Sequence, residues 1–111
     1  MKTKNLPKEI RMFSKKFKVS YLDSINEVDP NKETILFGRV SFQTNEIRIY
    51  NADGYNEADI FHCLFHEILH AIIINLNITF PEEEEERWID LISLGFTHVL
   101  LENKLDFSGK P

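Results

Sequence analysis

Apolar and polar residues alternate over residues 16–22, with Phe17, Val19 and Tyr21 on one side, which is the period of a half-buried strand. Residues 7–15 ahead of it predict a short helix. A polar stretch rich in Asn, Asp and Pro at 26–32 then separates this strand from a second over 34–42 and a third over 46–50. Only Gln43, Thr44 and Asn45 lie between the last two, so an antiparallel hairpin is the simplest connection. Asn51-Ala52-Asp53-Gly54 ends the strand pattern, because Asp-Gly favours a turn.

From here the apolar period changes from two towards that of a helix. Asn56 has the chemistry of an N-cap, with Asp59 three positions on, and opens a predicted helix to about residue 76. Phe61, Phe65, Ile68, Ile72 and Leu76 form its expected apolar face, leaving His66 and His70 on another side. Residues 75–80 read as a loop. Pro81 and the acids after it mark the start of a second helix, running to about residue 102 with Asn103 near its end. The order strand, hairpin, helix, helix implies an α+β domain with a short antiparallel or mixed sheet packed on the first helix.

At 111 residues, 42% of them apolar and nine of them Phe, the chain is expected to be a single domain spanning 1–111. One cysteine, Cys63, excludes an internal disulfide, and any four-ligand metal site must draw on histidine and carboxylate. No signal-peptide pattern opens the chain, and the longest continuous apolar run is only residues 71–74. The expectation is therefore a cytoplasmic protein with no membrane span. The net charge of −5 is unevenly spread: residues 1–18 hold seven basic side chains (Lys2, Lys4, Lys8, Arg11, Lys15, Lys16, Lys18) against one acid, Glu9. This basic segment has no nucleic-acid recognition motif, so a solvated segment is expected rather than a nucleic-acid contact. The acidic run Glu82–Glu86 offers it another partner within the chain.

The densest chemistry is His66-Glu67-Ile68-Leu69-His70. At about 100° per residue the two histidines lie within roughly 40° of each other on one helix face and can share a metal ion. Glu67 lies about 60° round from His70, placed to reach a water held there rather than to complete the ligand set. A catalytic zinc normally takes three protein ligands, and the following helix offers Glu82 to Glu86 and Asp90. Glu86 and Asp90, four apart, share a face that Ser93 and Thr97 continue between Ile89, Phe96 and Leu100. With Glu86 as ligand, Asp90 can accept a hydrogen bond from the free ring nitrogen of a histidine ligand.

His66-Glu67-x-x-His70 followed by Glu86-x-x-x-Asp90 resembles the gluzincin metallopeptidases over about residues 34–103. The compact layout is similar to the minimal gluzincins and to the small metallopeptidase-like proteins of bacteria and their prophages, including the ImmA/IrrE type. The resemblance implies a zincin-like fold, one Zn²⁺ per chain on His66, His70 and Glu86, and Asp90 bracing a zinc histidine. Glu67 would be the general base for peptide hydrolysis, and substrate would lie antiparallel along a strand of the hairpin between Leu36 and Tyr50. The small residue usual before the bracing aspartate is Ile89 here, which keeps Glu83 and Glu85 open as third ligand.

Five further residues belong to the candidate set. His62 projects near the histidine face as a partner or rim residue, and Cys63 reads as a small buried hydrophobe. Tyr50 and Tyr55 flank the turn before the metal helix and offer an oxyanion donor, whereas His98, about 120° round from Glu86, reads as rim or surface. The expected partner is a peptide or protein substrate, with self-association or a protein partner open to so small a domain. The alternative from another class is a catalytically weak zinc-fold module that binds a protein or nucleic-acid partner.

Overall fold

The alternation over residues 16–22 becomes strand β2 (Lys15–Leu22) of a computed structural model that describes residues 6–23, 38–51, 55–81 and 83–103. Phe17 and Val19 are buried, Lys16 and Lys18 are exposed, and the Tyr21 hydroxyl donates to the Pro7 carbonyl at 2.6 Å. The short helix expected over 7–15 is instead strand β1 (Glu9–Met12), antiparallel to β2 with Met12 opposite Lys15. Phe13 and Ser14 make the two-residue turn between them, and both have positive φ, 51° and 67°. Such a turn normally carries Asn or Gly, so the usual hairpin signal was missing.

Strands β3 (Gly38–Ser41) and β4 (Glu46–Tyr50) form the expected antiparallel hairpin. Of the strand expected over 34–42, residues 34–37 lie outside the described residues, as do the polar turn at 26–32, Ala52 to Gly54, and Glu82. β2 and β4 pair in parallel, Val19 opposite Ile47 and Tyr21 opposite Ile49, which makes the sheet mixed in the order β1-β2-β4-β3. Ile47 and Ile49 are fully buried and join Phe17 and Val19 on the inner face.

Helix α1 (Glu57–Leu76) lies over that face, against β3 and β4. Its start carries the expected cap in full: the Asn56 side chain accepts from the Asp59 N–H, and the Asp59 carboxylate accepts from the Asn56 N–H. Asn77 closes it in the left-handed conformation. Of the expected stripe, Phe61 and Ile68 are buried, Phe65 and Ile72 are half-buried against the core, and Leu76 is exposed; Ile60, Leu64, Glu67 and Ala71, one step round, are buried as well. The cause is that α1 is covered on two flanks, by the sheet and by α2. α1 is also long and apolar enough to cross a membrane by length and composition alone. Here its apolar side chains Ile60, Phe61, Leu64 and Ile68 make the core.

Helix α2 (Glu85–Glu102) begins four residues after Pro81, later than the sequence suggests. Glu83 takes a positive φ of 68°, which interrupts the helical path, and the Glu84 N–H bonds the Pro81 carbonyl in a turn. α2 runs antiparallel to α1, since His62 meets Asp90 while His70 meets Glu85 and Glu86. The fold is thus α+β, with a mixed four-stranded sheet and two helices among the described residues.

Candidate metal centre

His66 and His70 leave α1 one turn apart on the flank that faces α2, because residues four apart on a helix point the same way. Glu86 comes to meet them from the first turn of α2, where a carboxylate suits the positive end of the helix. One ligand atom from each of the three lies within 4.8 Å of the others, so the group could hold a metal ion. The donor set can be tested against zinc: two ligands about 2.05 Å from an ion at the tetrahedral angle stand ~3.3 Å apart. His66 Nε2 is 3.2 Å from His70 Nε2 and 3.2 Å from Glu86 Oε2, both close to that spacing. His70 Nε2 to Glu86 Oε1 is shorter, 2.6 Å, a hydrogen-bond distance.

Ligation through Nε2 leaves each Nδ1 for a second partner. His66 Nδ1 faces Asp90 Oδ1 at 3.6 Å, and His70 Nδ1 faces Glu85 Oε2 at 3.6 Å. Both are ion-pair distances just beyond hydrogen-bond reach, and each ring is set between the cluster and a carboxylate. Asp90 is itself held: His62 Nε2 lies 3.3 Å from its Oδ1 and 3.1 Å from its carbonyl oxygen, to which Ser93 Oγ also donates. The Thr97 hydroxyl donates to the Ser93 carbonyl, so this small polar stripe is satisfied within its own helix. Among the carboxylates left open, Glu86 stands between the histidines and Glu85 behind one of them. Glu83 lies outside the helix in the turn before it.

Burial pulls the His66 imidazole below its ordinary 6.5; the negative Glu86 opposes this, His70 reinforces it, and Asp90 opposes it. A neutral ring at pH 7 is the state that can bind a metal. Burial likewise pushes the Glu67 carboxyl up from 4.5 to about 7, with the Glu86 charge adding to the effect. Glu67 is only 8% exposed, because it belongs to the stripe of α1 that faces the sheet. There β3 makes room for it: a Cβ on Gly38 would stand 2.9 Å from Glu67 Cγ and 3.1 Å from its Oε2. Sequence reading did not single out Gly38, although a glycine inside a strand is the usual mark of such a close approach.

Cys63 packs against the core as expected, and burial followed by the Glu67, Asp59 and Asp90 charges pushes its thiol up to about 11, far from a thiolate ligand. Tyr55 precedes α1, and its phenol is raised by burial and then by Cys63, Asp59 and Tyr50. That environment places it at the entrance to α1, beside Tyr50 at the end of β4. His98 is exposed near the far end of α2, 3.9 Å from Glu102. It stands about 18 Å along the helix from Glu86, outside the cluster. Of the basic segment, Lys8, Arg11, Lys15, Lys16 and Lys18 are exposed, and Lys16 pairs with Glu9 of the same hairpin. Comparison with protein-family models, with curated proteins and with solved structures gives no match for the chain.

Proposed function

We propose that this chain is a zinc-dependent peptide hydrolase of the minimal gluzincin type, cutting within polypeptides, in a zincin-like fold. The observation that carries the reading is the convergence of His66 and His70 with Glu86 from the next helix, next to a buried carboxyl, Glu67, raised to about 7. A group with that pKa takes and returns protons at neutral pH, as a general base and acid must. Hard and borderline donors in a His₂Glu set suit zinc, which when bound supplies Lewis acidity for the scissile carbonyl and makes water a better acid.

The protein's own residues divide the remaining work. His66, His70 and Glu86 hold the ion, while Asp90 and Glu85 set the orientation of the two rings. Glu67 accepts the proton of the attacking water on its carboxylate and delivers it to the departing amine nitrogen, ending in its starting state. β3 is an edge of the sheet, and its Gly38 lies against Glu67. An extended peptide added antiparallel to β3 would bring its backbone past the base. A lone cysteine and no pairing partner for it agree with work in a reducing compartment.

The test is metal analysis together with a peptide-library digest of the wild type and Glu67→Gln. Both proteins should carry one zinc per chain, and only the wild type should cleave. A wild type that takes up no zinc, or cleavage unchanged in Glu67→Gln, overturns the reading.

A further inference from the structure

Helix α2 turns only Ile89, Ser93 and Thr97 fully inward. Beside that buried stripe, Trp88, Leu91, Ile92, Phe96 and Val99 remain 42–54% exposed. From Leu91 to Leu101 the chain carries no Asp, Glu, Lys or Arg. A solvated helix ordinarily presents charge on its outer side. Trp88, Ile92, Gly95 and Val99 follow one another at intervals of four, three and four, the spacing of a helix–helix seam.

Gly95 sits in the middle of that seam. Glycine inside a helix weakens it relative to alanine, and a Cβ built at Gly95 meets nothing within 4 Å. Among the described residues, therefore, nothing packed against it calls for a glycine. A second helix crossing at this point does, because the residue at a crossing sets how closely two axes approach.

We propose that a second copy of this chain pairs with α2 along Trp88, Ile92, Gly95 and Val99, about a two-fold axis that brings the two Gly95 positions together. Such an interface uses the same patch on both copies, so one self-complementary seam is sufficient. The five exposed apolar side chains offer on the order of 450 Å² per copy. A standard interface covers about 800 Å² per partner, of which roughly 56–65% is apolar, so the patch supplies about the apolar share that a stable dimer requires. By helical geometry the seam lies on the side of α2 roughly opposite Glu86 and Asp90, and pairing leaves the histidine cluster uncovered.

Sedimentation of the full chain across about 1–100 µM, with Gly95→Gln and Ile92→Glu alongside, tests this. The wild type should sediment at twice 13.1 kDa, and both variants at 13.1 kDa with unchanged helix content and metal uptake. The single tryptophan, Trp88, should shift its emission to the blue as wild-type concentration rises. A wild type monomeric throughout overturns the proposal, as does a Gly95→Gln protein that still dimerises. Quencher-protected Trp88 in a monomer would assign the cover to another part of the same chain and equally overturn it.

Discussion

Gly38 on strand β3 and Glu67 on helix α1 leave no room between them for a larger residue: a methyl on Gly38 would sit 2.9 Å from Glu67 Cγ. The contact joins the sheet to the proposed base and not to the ligands. Gly38→Ala should therefore leave zinc stoichiometry intact while displacing the carboxylate. The expected loss in kcat/KM is on the order of 10²-fold, the scale of general-base catalysis. Overpacking should cost about 1–3 kcal/mol of stability. Steady-state kinetics beside metal analysis of the same sample separates this from ligand loss.

The raised Glu67 carboxyl makes the metal-free protein pH-sensitive in a defined direction. Its folded value, about 7, lies above the ordinary 4.5, so the folded state holds the extra proton between those values. The stabilising contribution is complete below pH 4.5 and is lost as pH rises towards 7, by roughly 3 kcal/mol at most. Glu67→Gln, neutral at every pH, should flatten this slope. Urea denaturation of chelator-treated wild type and variant at pH 5 and pH 8 measures it; equal slopes would contradict the assignment.

Metal binding should stabilise the fold by mass action. With free zinc a hundredfold above its dissociation constant the gain is about 2.7 kcal/mol, which in a domain of this size raises Tm by on the order of 10 °C. Chelation should reverse the rise. His70→Ala and Glu86→Ala should show none of it, whereas His98→Ala, outside the cluster, should keep it in full. A thermal melt with and without zinc reports each case.

Asp90→Asn and Glu85→Gln remove the charges behind His66 and His70 without touching a ligand. Each should weaken zinc affinity by 10–100-fold. Competition with a zinc-sensitive dye gives the affinities.

Local signals told most where local physics decided the outcome. The reciprocal bonds of Asn56 and Asp59, the alternation of Phe17 and Val19, and the one-turn spacing of His66 and His70 all lie within a few residues, and each was readable. β1 was missed because Phe13 and Ser14 adopt positive φ without the residue types that advertise it. The parallel pairing of β2 with β4 was also hidden, since register between strands separated by more than twenty residues leaves no periodic trace. The candidate site divides the same way. Glu86 and Asp90 were legible from their spacing, whereas Gly38 beside Glu67 and Glu85 behind His70 are long-range contacts that emerge only when the elements pack.

The histidine cluster adds a polar contact to two helices that also pack on each other, with Ile89 buried and Phe96 stacked on Phe65. α2 buries three residues fully, two of them small and polar, and leaves Trp88, Leu91, Ile92 and Val99 about half exposed. A metal ion held by His66, His70 and Glu86 would act as a clasp that fastens the first turn of α2 to a helix of the core. The fastening of α2 then depends in part on metal supply: chelation would loosen residues 85–102 first, and proteolysis of the metal-free protein should begin there.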